Sequence, residues 1–165
     1  LAHTSNYGML LTRTDPDART EAIWRAQPAA DGSYLAPERL PDLVNAAPTQ
    51  FNAYVAPDES YLIVCAQGRP DNLGAIDYWI AFRDPDDTWH APLNLGPTVN
   101  GKGREGWSAS VSPDGRVLFF MSRRSVHDPA APRTWASLQA MHAAPGNGHG
   151  HVWWVDAAFL DDLRQ

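Results

Sequence analysis

Short apolar stretches separated by turn-forming residues run along most of the chain. The clearest are Tyr61–Cys65 and Val117–Met121, and each follows a Pro-Asp turn, at residues 57–59 and 113–115. Proline fixes φ in such a turn, and the aspartate side chain can accept a hydrogen bond from the turn's own backbone. A continuous apolar run after a turn is typical of a strand that packs on both faces. The pattern therefore predicts hairpins whose second strands are buried.

The order of these residues recurs at a spacing of about 55 positions. Residues 51–64 align without a gap on residues 107–120, at an offset of 56 (107 − 51). Residues 31–45 align on residues 86–100, at an offset of 55 (86 − 31). Chance similarity has no reason to give nearly the same spacing twice, so the two alignments together indicate a repeated structural unit.

Each repeat is expected to hold four strands. Tryptophans mark the third strand, because Trp24, Trp79 and Trp153 take equivalent places in three successive repeats. The fourth strand is more polar and contains a proline, which lacks an amide hydrogen and is tolerated only at a sheet edge. Its predicted positions are residues 34–38, with Pro37, and residues 89–93, with Pro92.

Repeats of four strands, with apolar faces that one repeat cannot bury alone, are typical of β-propeller blades. The predicted fold class is therefore all-β, a propeller of about three four-stranded blades at residues 7–45, 51–100 and 107–156. The first blade is expected to lack its innermost strand, and the last its fourth strand. Propellers usually need about four to eight blades to close. We therefore expect a partial ring, which upstream blades or a second copy would close.

Two short helices are predicted outside the strands. The third repeat carries an insertion at residues 125–150, in which Thr134 is a candidate helix cap. The apolar residues after it recur at three-residue spacing: Trp135, Leu138 and Met141. This pattern predicts a helix over residues 134–142, laid on the blade rim. The end of the chain, residues 157–164, predicts a second short helix.

Composition limits the kinds of partner. The formal net charge is −6, and the 13 Lys and Arg residues are scattered. Nucleic acids and anionic membrane surfaces both require clustered basic residues, so neither is expected as a partner. No apolar run approaches the roughly 20 residues that a membrane-spanning helix needs. The single cysteine, Cys65, lies in an apolar run and is predicted to be a small buried hydrophobic side chain.

Three segments carry a resemblance to a known family: residues 55–58, 89–96 and 111–123. Together they resemble the TolB-like, WD-repeat-like propeller repeat of bacterial exported proteins, over nearly the whole chain. The ending at residues 146–156, followed by an amphipathic tail, is similar to the C-terminus of small members. The resemblance implies further blades upstream and a periplasmic or otherwise extracytoplasmic location.

The family commonly has an aspartate before the aromatic residue of the third strand, as Asp77 is here, and an arginine after the second strand. The arginines that fit this place are Arg13, Arg69 and Arg124. The resemblance implies a structural Arg–Asp contact inside each blade. The other repeats have Ala22 and His151 in place of the aspartate, which leaves two arginines as candidates for binding an anionic group.

Catalytic chemistry has little support in the sequence. The serines lack a nucleophile elbow, and no His and Asp spacing marks a triad, so no catalytic residue and no cofactor are predicted. The most metal-like cluster is His142, His149 and His151, because histidines at alternate positions can share one side of an extended strand. A solvated glycine-rich loop is the favoured interpretation of the same residues.

The sequence therefore favours a non-catalytic binding propeller that presents one face to a protein or glycan partner. The candidate binding residues on that face are Asn52, Arg69, Glu105, Trp107 and Arg124. The alternative is a carbohydrate-active enzyme, a lyase or glycosidase, with a histidine metal site in the channel. A third hypothesis is structural, namely that three blades pair with three from a second copy to close a six-bladed ring.

Overall fold

The computed structural model describes residues 2–3, 8–15 and 20–164. Its secondary structure is 39% strand and 8% helix, and the sheets are built from antiparallel strands. The predicted all-β class is therefore confirmed. Tyr7 and residues 16–19, which belong to the first predicted blade, lie outside the described residues.

Three sheet units follow one another along the chain. Unit 1 contains β1 (Ala2–His3), β2 (Met9–Asp15), β3 (Thr20–Ala26) and β4 (Glu38–Arg39). Unit 2 contains β5 (Thr49–Val55), β6 (Tyr61–Gln67), β7 (Ile76–Phe82) and β8 (Leu93–Asn94). Unit 3 contains β9 (Ala109–Val111), β10 (Val117–Ser122) and β11 (His151–Asp156). Strands within a unit pair antiparallel, and the parallel pair of Glu21 with Thr49 joins units 1 and 2.

Strand pairing repeats in step with the sequence. Val55 pairs with Leu62 in unit 2, and Val111 pairs with Leu118 in unit 3. Both residues of the pair are displaced by the same 56 positions (111 − 55 and 118 − 62). The two Pro-Asp turns therefore connect hairpins of the same register, as the alignment predicts.

The first unit does have an inner strand, so the prediction that it lacks one is wrong. Ala2 and His3 of β1 pair antiparallel with Leu10 and Met9 of β2. Backbone hydrogen bonds to β2 hold this strand. Two residues give no apolar alternation, so the sequence carries no signal for it.

The outer strands are shorter than predicted. Residues 34–38 and 89–93 contribute isolated bridges, Pro28 with Tyr34 and Arg83 with Trp89, and regular pairing resumes only in β4 and β8. Proline has no amide hydrogen to give to the ladder, and Pro37 and Pro92 lie between each bridge and its strand. Both β4 and β8 lie at the outer side of their units, beside β3 and β7.

Two hydrophobic clusters lie between the three units, one at each junction. Alternate residues of β6 enter different clusters, since Leu62 and Val64 face unit 1 whereas Ile63 and Cys65 face unit 3. The predictions that Tyr61–Cys65 packs on both faces and that Cys65 is a buried hydrophobic side chain are confirmed. The central sheet thus carries the core on both sides.

Unit 3 is packed on one face only, so the prediction that Val117–Met121 is buried on both faces is wrong. Leu118 and Phe120 are fully buried, but Phe119, between them, is 39% exposed. Val152 and Trp154 of β11 lie on the same exposed face, which we call the open face of unit 3. Within the described part of the chain, no layer covers it.

Both predicted helices are present. α1 (Trp135–Ala143) begins after Thr134, whose hydroxyl accepts from the Ser137 amide while the Ser137 hydroxyl accepts from the Thr134 amide. The predicted cap is therefore confirmed. No residue of α1 is buried, however. α2 (Phe159–Asp162) is shorter than residues 157–164. In the described ranges, neither helix has the length and apolar character needed to cross a membrane.

Candidate functional site

An arginine lies over the tryptophan of the third strand in each of the three units. The guanidinium carbon is 4.4 Å from the ring centre for Arg13 over Trp24, 4.5 Å for Arg69 over Trp79 and 4.9 Å for Arg124 over Trp153. Such cation–π contacts contribute about 0.5–2 kcal/mol each. The three arginines that the sequence singles out therefore share a packing role within their own units.

The aspartate that the resemblance pairs with Arg69 has other partners. The buried Asp77 carboxylate accepts from the Leu73 amide at 2.6 Å, the Gly74 amide at 3.0 Å and the Asn94 side chain at 2.8 Å. It thus orders the loop that leads into β7. The expected Arg–Asp contact is replaced in unit 2 by the stack of Arg69 on Trp79.

Arg69 and Arg124 also reach back to the preceding unit. Arg69 Nη2 donates to the carbonyl oxygen of Val44 at 3.2 Å, and Arg124 Nη2 donates to that of Val99 at 3.3 Å. The two valines occupy equivalent repeat positions. Each arginine therefore links its own unit to the one before it. Both of these predicted binding residues thus have a structural role.

One buried asparagine lies at each junction, and the sequence predicts no role for either of them. Asn100 Oδ1 accepts from the Tyr78 amide at 2.8 Å, and its Nδ2 donates to the Tyr78 carbonyl at 2.8 Å. Asn45 makes the same pair of bonds with Ile23, at 2.8 and 3.1 Å. The repeat alignment does end on Asn45 and Asn100, and that recurrence is the signal that could have found them.

The structure brings two of the predicted face residues into contact. Asn52 lies at a bulge of β5 with a φ of +50°, and its Nδ2 donates to the carbonyl oxygen of Trp107. Glu105, two residues before Trp107, is half-buried, and its carbonyl oxygen accepts from the Arg123 amide at 3.2 Å. Arg69 contacts Val44 and Trp79 at the junction of units 1 and 2, and Arg124 lies at the junction of units 2 and 3.

Arg124 opens onto a cleft between the loop that precedes β9 and the loop that follows β10. The cleft has a volume of about 600 Å³. We call it the basic cleft because its lining includes Lys102, Arg104, Arg124, His127 and Arg133. Arg104 Nη1 donates to the carbonyl oxygen of Pro97 at 2.7 Å. Burial, and after it the nearby charge of Arg104, lowers the pKa of Arg124.

The predicted histidine cluster is only partly assembled. The rings of His142 and His149 lie with centres 5.6 Å apart, whereas His151 Nε2 lies 3.0 Å from Asn147 Oδ1. Among the described residues, no group of three or more His, Cys, Asp or Glu side chains is arranged to hold a metal ion. The pair His142 and His149 instead lines a groove on the other side of α1, next to the exposed Trp135.

Comparisons of the chain with protein-family models, with curated proteins and with solved structures found no match. Its function is therefore inferred from its own residues.

Proposed function

We propose that the chain is part of a β-propeller, in which units 1, 2 and 3 are blades, and that it acts as a non-catalytic binding scaffold. The repeated register and the two inter-unit clusters support the propeller. Loops at one end of a rigid layered scaffold are where such folds place binding sites. An extracytoplasmic location belongs to this proposal and rests on the family resemblance alone.

The observation that carries the proposal is the open face of unit 3. Its residues Phe119, Val152 and Trp154 are 39%, 74% and 68% exposed. Strand pairing assigns their counterparts in unit 2, because Phe119 pairs with Trp154 as Ile63 pairs with Ile80. Tyr78 likewise takes the position of Val152. The three counterparts are at most 1% exposed: Ile63, Ile80 and Tyr78.

In unit 2 this face is covered by unit 3, so the open face of unit 3 fits a further sheet unit of the same kind. Unit 1 offers the complementary surface. Arg13 is exposed, whereas its counterparts Arg69 and Arg124 each bond a carbonyl of the preceding unit. We therefore propose that unit 1 of a second copy packs head to tail on unit 3, in a contact that the chain already makes twice internally.

Sedimentation of the full chain tests this assembly. We expect the wild type to self-associate, and Trp154→Arg to abolish this because it places a charge on the open face. Arg13→Glu should abolish it from the other side. An equimolar mixture of the two variants should associate again, because each retains the surface that the other has lost. Trp135→Arg, an equally exposed tryptophan on α1, is the matched control and should associate like the wild type.

A wild type that stays monomeric at high protein concentration contradicts the head-to-tail assembly. A mixture of the two variants that fails to associate, although each is folded by circular dichroism, contradicts the complementary faces. Neither result affects the basic cleft, which lies within a single chain.

A further inference from the structure

We propose that the basic cleft binds an oxyanion group, a carboxylate, sulfate or phosphate, carried either by a small free anion or by an acidic glycan. This specifies the ligand of the proposed binding face and so rests on the proposed function. The cleft is built within one chain, from the ends of units 2 and 3, so its ligand can be tested without the head-to-tail assembly.

The cleft concentrates positive charge in a protein whose net charge is −6. Four of its 13 Lys and Arg residues line this one space: Lys102, Arg104, Arg124 and Arg133. Within the described residues, none of the four forms an ion pair. Its volume of about 600 Å³ lies in the range of about 300–1,000 Å³ that is usual for ligand pockets. Unpaired cations around such a space favour an anionic ligand.

The fold requires only one of these cations. Arg124 repeats the contacts of Arg69, since each stacks on a tryptophan and bonds a valine carbonyl of the preceding unit. The stretch after Asn45, residues 46–50, has the uncharged sequence Ala-Ala-Pro-Thr-Gln, whereas the stretch after Asn100 has Lys102 and Arg104. These two cations therefore have no counterpart at the junction of units 1 and 2.

The insertion supplies the remaining basic side chains. His127 and Arg133 come from residues 125–150, for which units 1 and 2 have no equivalent segment. α1 in the same insertion forms a wall of the cleft through Leu138 and Met141. Four of the five basic side chains thus have no counterpart at the junction of units 1 and 2.

The cleft also contains donors and charges that lack compensation. His127 Nε2 is buried and has no hydrogen-bond partner among the described residues. Arg124 Nε is likewise unbonded, but so is Arg69 Nε, so that feature follows from the shared tryptophan stack. The one carboxylate among the described lining residues, Asp128, accepts from the Ala130 amide at 2.8 Å. An oxyanion would accept charge-assisted hydrogen bonds here and relieve the repulsion between Arg104 and Arg124.

Isothermal titration calorimetry on the full chain at low salt tests this site. Three probes separate the two sources of the oxyanion, namely sodium sulfate, inorganic pyrophosphate and an oligogalacturonate. Binding of sulfate or pyrophosphate supports a free anion, and binding of the oligogalacturonate alone supports an acidic glycan. The affinity should fall as salt is added, because salt screens exposed charges.

The decisive variant is the double substitution Lys102→Gln and Arg133→Gln. Both side chains are exposed, so the melting temperature should not change, whereas the affinity should fall about tenfold or more with the loss of charge-assisted bonds. The matched control is Arg39→Gln with Arg116→Gln, which removes the same charge from exposed sites outside the cleft. The control should bind like the wild type.

Absence of binding by all three probes overturns the proposal, as does an equal loss of affinity in both double variants. The titration is repeated on Trp154→Arg. Unchanged binding by this variant supports a cleft that is complete within one chain, and binding lost together with self-association contradicts that claim. Retained anion binding without self-association would therefore be recognised as a failure of the head-to-tail assembly alone.

Discussion

The junction of units 1 and 2 and the junction of units 2 and 3 share one set of contacts but differ in their charges. In both, a buried asparagine bonds the third strand, and an arginine of the next unit bonds a valine carbonyl. The first junction pairs Arg25 and Arg83 with carboxylates, whereas among the described residues the cations of the basic cleft at the second junction have no such partner. The shared contacts are what the repeat needs in order to stack, and the difference marks the surface on which function is expected.

The charged residues of the first junction form a closed network. Glu59 Oε2 lies 3.1 Å from Arg25 Nη2 and 3.3 Å from Arg83 Nη1, and Asp87 pairs with the same two arginines. Glu59 has a φ of +59°, a conformation that favours glycine, and its counterpart in unit 3 is Gly115. A glutamate at such a position costs about 1 kcal/mol. The network offsets that cost, and it neutralises the charges of Arg25 and Arg83.

The largest expected effect concerns the contact that the junctions share. Asn100→Ala would leave the buried Tyr78 amide without its partner and the Tyr78 carbonyl with only the Leu95 amide, at a cost of about 3 kcal/mol. Asn45→Ala should cost about the same at Ile23. Thermal unfolding should show both variants melting about 6–12 °C lower, with Gln139→Ala on the exposed side of α1 as the control. A large difference between the two would break the equivalence of the junctions.

A smaller effect is expected from the network that only the first junction has. Glu59→Gln keeps the length of the side chain and the backbone conformation but removes the charge that faces Arg25 and Arg83. Because these side chains are mostly buried, the loss should be about 2 kcal/mol. Chemical denaturation measures it. Gly115→Gln should also destabilise the chain, through its φ of +75°. The cost of Glu59→Gln should be smaller in an Arg83→Gln background, and an unchanged cost there would contradict the ion pairs.

The smallest effect on stability separates packing from binding. Arg69→Ala and Arg124→Ala each remove a tryptophan stack and a bond to a valine carbonyl, so each should cost about 1–2 kcal/mol. Only Arg124→Ala should also weaken sulfate or pyrophosphate binding. If Arg69→Ala weakened anion binding equally, the assignment of the ligand to the second junction would be wrong.

Local signals in the sequence predicted much of the fold. The Pro-Asp turns, the apolar run Tyr61–Cys65 and the Thr134 cap depend on residues within a few positions of one another, and all three are confirmed. The predicted contact of Arg69 with Asp77 was replaced by another, and the short strand β1 went unnoticed. The candidate site was predicted only through Arg124, because Lys102, Arg104 and Arg133 lie in separate loops with no common spacing.

By itself, the sequence determined the repeat, its register and the all-β class, because strand alternation and turn chemistry are properties of neighbouring residues. Only the tertiary structure decided which groups the long polar side chains contact. Arg69 meets a carbonyl 25 positions earlier in the chain, and Asn100 bonds a strand 22 positions away. Which partner such a side chain reaches depends on how strands pair and units stack. The repeat is therefore visible in the sequence, whereas the basic cleft emerges only when two units are packed together.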